Sequence, residues 1–317
     1  MRCLILLLSI VVGVSTVGCD SSRSKAPAQA APAPQVPAAP PAPVATPTPI
    51  VPLPAPTPPT KIPVAVVLTP GAEVVDWSGP WGVFEYALVP GYDGSPFQLY
   101  TVAESTQPIQ VSGGLKVIPD YSFADAPAPK IIVVPAQEEP SAAELAWLRS
   151  AAPHTDLTMS VCNGAFVLAK AGLLDGKAAT AHHSAYAYFA AEFPAIEVRR
   201  GARFVDADGV STAGGLTSGI DLALHVVERY FGRDVAEATA SQLEYQGQGW
   251  KDPGSNAAFA ARPVASPGHE LCPVCEMEVD ADTALHATHA GHTYSFCSDT
   301  CKAAFEKAPE RYTQRAP

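Results

Sequence analysis

Three short runs of aliphatic and β-branched residues limit what this chain can fold into: Lys61–Leu68 (KIPVAVVL), Lys130–Pro135 (KIIVVP) and Asp156–Val161 (DLTMSV). None alternates apolar with polar, so each reads as a strand covered on both faces and bounded by turn residues. Between and after them the pattern becomes helical. Ser141 with Glu144 forms a capping box ahead of Leu145, Trp147 and Leu148, and Gly215–Phe231 carries an apolar stripe on Ile220, Leu222, Leu224, Val227 and Tyr230. Strands alternating with helices predict an α/β fold, a mainly parallel sheet with helices on both sides.

Of 33 prolines, 15 fall between Ala26 and Pro63, in a stretch of Pro, Ala, Thr and Val with almost no charge. Such a composition cannot build a core, so residues 20–61 read as a linker. Some 40 residues at about 3.1 Å each reach on the order of 100 Å. Ahead of them, Arg2 and the apolar run Leu4–Val14, too short to span a bilayer, read as a signal peptide over residues 1–19. Thr16-Val17-Gly18-Cys19 resembles a bacterial lipobox. That resemblance implies lipidation at Cys19, a membrane contact through the anchor and an extracytoplasmic place in the cell envelope, on the periplasmic side. Ordinary secretion, with Cys19 a plain thiol, is the alternative. The net charge is 20 − 31 = −11 with no basic stripe, which argues against nucleic acid as a partner.

The remaining cysteines sort by context. Cys162 stands alone where the strand of Asp156–Val161 runs directly into a helical stretch that ends at Gly172. A strand turning sharply into a helix puts the thiol at the carboxyl edge of the sheet, near helix N–H groups that lower a thiol pKa. By spacing alone, Cys162 fits an elbow nucleophile and a small buried core residue equally well.

The run Val161-Cys162-Asn163-Gly164-Ala165-Phe166-Val167-Leu168-Ala169, continued by Ala171–Lys177 and Ala179-Thr180-Ala181-His182, closely resembles the PfpI-type branch of the class I glutamine amidotransferase-like superfamily, above all its isonitrile-hydratase-like members and the amidase-like domains of certain regulators. The resemblance covers most of residues 62–248, within a domain placed at 62–250, through Asp76-Trp77-Ser78-Gly79-Pro80 and Thr212-Ala213-Gly214-Gly215. It implies a flavodoxin-like three-layer sandwich, a small-molecule substrate, and a homodimer. It also implies that Cys162 is the reactive cysteine, Asp76 the acid beside it, and His182 a histidine that assists or lines the pocket. A helix N-cap is the competing reading of Asp76. His183 has no match in the family, and His225 and Asp221 read as structural. Where such domains carry Pro-Gly-Gly, this chain has Pro135-Ala136-Gln137. That weakens the expected oxyanion site unless the Gln137 side chain donates.

After a second linker, residues 251–267, the segment 268–317 holds C-x2-C-x21-C-x3-C in Cys272, Cys275, Cys297 and Cys301. Each pair can aim two thiolates at one ion, and a module with so few apolar residues needs the metal for stability. Two disulfides are the alternative in an oxidising compartment. Through Pro273-Val274-Cys275, Gly291–Ser298, Phe305 and Tyr312 the segment resembles a YHS or TRASH-type module, which implies a soft or borderline ion. All-thiolate ligation favours Zn²⁺ or Cu⁺. His286, His289 and His292 lie nearby in sequence as further possible ligands.

Two functions follow from these residues. One is a cysteine enzyme of hydratase, amidase or hydrolase type acting on a small electrophilic carbon. The other is a non-catalytic metal-binding, metal-handling or redox-sensing lipoprotein that uses the α/β domain as a scaffold.

Overall fold

A computed structural model of the chain describes residues 50–282 and 284–313. The stretch read as a signal peptide, Cys19 and most of the proline-rich segment lie outside the described residues.

The apolar runs form the expected strands: β1 (Ile62–Val67), β2 (Phe97–Ala103), β3 (Tyr121–Ser122), β4 (Ile131–Val134), β5 (Leu157–Val161), β6 (Phe204–Ala207) and β7 (Val210–Ala213). They make one sheet in the order β6-β7-β5-β4-β1-β2-β3, parallel except for the β6–β7 hairpin. Side chains of β1 divide between two cores, as the two-residue period requires. Ile62, Val64 and Val66 join Val133, Met159, Leu222 and Val226 on one face. Ala65 and Val67 join Ile132, Val134, Leu168 and Phe189 on the other. The first core is closed by α1 (Val74–Tyr86), α5 (Ser218–Phe231) and α6 (Arg233–Gln242), the second by α2 (Ala142–Ala151), α3 (Gly164–Lys170) and α4 (Tyr186–Glu192). The result is a three-layer α/β sandwich with a mainly parallel sheet.

The proline-rich segment meets this domain before β1 begins. Leu53 N–H donates to the Arg229 carbonyl (2.8 Å), Arg229 Nε to the Val51 carbonyl (2.9 Å), and the Tyr92 hydroxyl to the Pro56 carbonyl (2.5 Å).

The C-terminal module consists of two hairpins and two short helices. They are β8 (His269–Leu271) with β9 (Glu278–Asp280), β10 (Leu285–His289) with β11 (His292–Phe296), then α7 (Asp299–Lys307) and α8 (Glu310–Thr313). Its own core is small: Val274, Val279, Phe296, Phe305 and Tyr312 around the buried Cys272 and Cys301. Helix α4 completes it, Ala191 being buried in that cluster and Tyr188 packed on it. An ion pair between Arg200 and Glu276 (3.1 Å), the latter directly after Cys275, ties the module to the sandwich.

Candidate active site and metal centre

Cys162 follows β5 at the carboxyl edge of the sheet with φ at 58°, the left-handed region that a non-glycine residue enters only under constraint. The constraint is visible on both sides. Its N–H donates to the carbonyls of Ala213 (3.2 Å) and Gly214 (2.9 Å) at the end of β7. At Gly164, a Cβ would run into the Val134 carbonyl oxygen and stand 2.8 Å from that of Pro135, so α3 leaves the elbow only because that residue has no side chain.

Asp76 sits in the first turn of α1, three residues past the N-cap Glu73, fully buried. It is therefore not an N-cap. Its Oδ2 accepts the Ala136 N–H (3.0 Å), and the carboxyl group stands close enough to the Cys162 thiol for each to shift the other's titration. Oδ1 is buried and has no hydrogen-bond partner among the described residues. Burial pushes the Asp76 carboxyl up to about 7, the Ala136 N–H opposing and the Glu73 charge adding. Burial, then the Asp76 charge, push the thiol up to about 12, against the N–H groups of Asn163 and Leu216 that face the sulfur. This reverses the lowered thiol pKa expected from the helix start. The elbow helix is short, the thiol is only 7% exposed, and an acid rather than a base faces it. Asp76 and Cys162 thus form a buried pair in which a charge on the acid holds the thiol protonated.

The second N–H explains why α5 starts at Ser218 and not at Gly215. Leu216 has φ at 46°, and residues 214–217 make the turn that presents its N–H to the sulfur. No side-chain pattern announces a backbone donor, so the sequence could not show it.

His182 does not join the pair directly. Its ring covers Gly215, where a Cβ would stand 3.1 Å from Nε2, and its Nδ1 meets the Ser184 hydroxyl at 2.8 Å. Burial and then neighbouring His183 keep its pKa below the ordinary value, which favours the neutral ring. His183 stacks on Phe259. His225 is buried with Nε2 2.6 Å from Asp206 Oδ2, and Asp221 takes Arg203, Tyr245 and the Trp250 N–H; both are structural as expected.

Gln137 does not serve as an oxyanion donor. Its Nε2 donates to both carboxylate oxygens of Glu144, each at 2.8 Å. Glu144 completes the capping box with Ser141, but it is fully buried, and burial pushes it up to about 7. A cleft of about 270 Å³ opens beside the elbow, with Gln137, Asn163, Phe166, Lys170, Tyr188 and Glu192 on its walls.

In the C-terminal module all four cysteines are free thiols whose sulfurs lie within 4.8 Å of one another, with Cys275 3.4 Å and Cys297 3.6 Å from their respective neighbours Cys297 and Cys301. A tetrahedron of sulfurs about 2.3 Å from a zinc ion has edges of about 3.8 Å, so the cluster is already near the size an ion requires. The sulfurs converge on one centre instead of pairing. The Cys275 thiol and the backbone N–H groups of Cys297, Cys275 and Val274 pull the Cys272 thiol down to about 5, while Cys275, whose proton Cys272 shares, is pushed up. Ser298 caps α7 by accepting the Cys301 N–H at 3.2 Å, which fixes the second pair. The histidines stay outside: His289 contacts Glu310 and Phe305, and no histidine joins the cysteine cluster among the described residues.

The DJ-1/PfpI family model matches residues 63–229, and the YHS domain model matches residues 272–316. The chain is 34% identical over 190 residues to the isonitrile hydratase of Pseudomonas putida, covering 57% of this chain and 78% of that protein. To the HTH-type transcriptional regulator GbdR of Pseudomonas aeruginosa it is 26% identical over 154 residues, 47% of this chain and 42% of the regulator. Among solved structures, a ThiJ/PfpI family protein from Pseudomonas syringae aligns with a TM-score of 0.53 at 28% identity, over 59% of this chain and 76% of that one. Drosophila melanogaster DJ-1beta shares the fold, with a TM-score of 0.51 at 20% identity over 59% of this chain and all (100%) of that one.

Proposed function

We propose, for a chain that belongs to the DJ-1/PfpI family and carries a YHS domain, that the α/β domain is a cysteine-dependent enzyme of hydratase type acting on a small electrophilic carbon. The observation that carries this reading is the Asp76 carboxyl held against a thiol on a strained elbow. With a nitrile-like substrate, the sulfur adds to the carbon while the thiol proton passes through Asp76 to the nitrogen. Water then displaces the sulfur, the thiol proton is restored, and the net change is addition of one water. The N–H groups of Asn163 and Leu216 stabilise the sulfur as it takes on charge. His182 borders the turn that carries Leu216. The isonitrile hydratase relative supports hydration over acyl transfer.

The YHS domain would hold one soft or borderline ion through Cys272, Cys275, Cys297 and Cys301, the ion supplying the stability that its small core lacks. Placement in the envelope by a lipid on Cys19 belongs to the same proposal.

One observation favours a second reading, a non-catalytic metal-handling protein that uses the α/β domain as a scaffold: burial and the Asp76 charge push the Cys162 thiol up, away from the thiolate form. Incubating the full chain with small isonitriles and nitriles, and following loss of substrate and gain of the amide, separates the two. Turnover abolished by Cys162→Ser and strongly reduced by Asp76→Asn is expected. No turnover with either class, together with unchanged metal binding in Cys162→Ser, would sink the enzyme reading. Release of a Cys19→Ala variant from membranes would test the anchor.

A further inference from the structure

Glu144 is a carboxylate with no surface to serve. It lies in the first turn of α2, 0% exposed, and beyond the capping Ser141 its side-chain partner is the Gln137 amide, held through both oxygens. Burying a carboxylate is costly unless its hydrogen bonds repay it, and a cap on the surface would have given α2 the same start. The grip on Gln137 is what the burial adds.

Gln137 belongs to the segment Pro135–Glu138 that leads away from β4. Three contacts pin that segment. Glu144 holds the Gln137 side chain, the Glu73 N–H donates to the Ala136 carbonyl (2.8 Å), and the Glu138 N–H donates to the Pro70 carbonyl (3.2 Å). The same segment offers the Ala136 N–H to Asp76 Oδ2, the carboxyl that faces Cys162. From Glu144 to Asp76 the path therefore runs through Gln137 and the Ala136 N–H, each step a hydrogen bond or one residue of backbone, and the Asp76 carboxyl stands beside the sulfur. The segment also carries the carbonyl of Pro135 that packs on Gly164 at the head of α3, so both sides of the elbow depend on it.

We propose that Glu144 is a positioning residue for the Asp76–Cys162 pair, acting by clamping Gln137 and with it the Ala136 N–H that aims the Asp76 carboxyl at the thiol. The proposal rests on the reading of Cys162 and Asp76 as the reactive pair. The charged groups that face the two carboxyls are Glu104 toward Glu144 and Glu73 toward Asp76.

The test is the pH profile of Cys162 alkylation by iodoacetamide in the full chain, zinc-loaded so that the module's thiols are protected, with modification read by mass on the peptide containing Cys162. The wild type is expected to show a step in rate near neutral pH, where Asp76 ionises. Glu144→Leu removes the clamp, and is expected to displace that step by one pH unit or abolish it, changing the rate at fixed pH by about tenfold. Glu144→Gln keeps an acceptor for the Gln137 amide and is expected to restore the profile, which a merely structural role for the charge would not predict. A wild-type profile in Glu144→Leu, with the step displaced in Asp76→Asn, overturns the proposal and leaves the reactive pair standing. A step untouched by Asp76→Asn overturns the pair itself, and the proposal with it. Should Glu144→Leu fail to fold, Gln137→Gly removes the clamped group instead, and an unchanged profile there is equally decisive against the clamp.

Discussion

Gly164 and Val134 approach so closely that the α-carbon of one faces the carbonyl oxygen of the other with no room for a methyl group between them. The elbow that presents Cys162 is built on this contact, since α3 starts where β4 ends.

Gly164→Ala must push α3 away from backbone atoms that cannot turn aside. A loss of about 2–4 kcal/mol in urea unfolding is expected, in the upper range for single substitutions, with alkylation of Cys162 altered as well. A stability within about 0.5 kcal/mol of wild type, the range of surface substitutions, would contradict the elbow described above.

The pH dependence of stability follows from Asp76 and Glu144, both raised to about 7 by burial. The folded chain keeps protons that the unfolded chain has released between pH 4 and pH 7, so stability is greatest at the acid end of that window and declines as pH rises through 7. Asp76→Asn should remove its share of the slope, gaining up to about 4 kcal/mol at pH 8 for a shift of three units. Urea titrations at pH 5 and pH 8 measure it. An identical slope in the variant would show that Asp76 is ionised throughout.

For the YHS domain, one zinc or copper(I) ion per chain is expected after reductive purification with added metal. Chelation should leave residues 268–313 open to proteolysis while the α/β domain stays intact, because five buried apolar side chains cannot hold the module alone. Cys272→Ser should reproduce the chelated state.

Arg200 and Glu276 are largely buried, 22% and 15% exposed, and Arg200 also covers the Tyr186 ring at 5.1 Å. Arg200→Leu should weaken docking of the module by about 1.5–3 kcal/mol, the value of a hydrogen bond to a charged group, and leave metal stoichiometry unchanged. Limited proteolysis in the segment 261–268 provides the measure.

The sheet was legible because its strands are buried on both faces, and a run such as IIVV in β4 has few other uses. The four cysteines were legible for a similar reason, as spacing alone brings their sulfurs together. Asp76 and Cys162 were paired through resemblance, and the distance between them in sequence gave no hint. What stayed hidden was made by backbone and burial. The Leu216 N–H depends on a left-handed residue that nothing in its side chain requires, and Glu144 reads in sequence as an ordinary exposed cap. The thiol's raised pKa had the same origin, because the helix start was visible and the buried acid's effect on it was not.

The docking of Leu53 and Val51 on Arg229 fixes where the proline-rich segment leaves the domain. Arg229 is at the end of α5, which runs antiparallel to the strands, so the exit lies by Phe97 and Phe231 at the amino edge of the sheet. Cys162 is at the opposite edge. The chain before residue 50 therefore joins the domain at the amino edge of the sheet, and the approach to the cleft beside the elbow, at the carboxyl edge, is left clear of that junction.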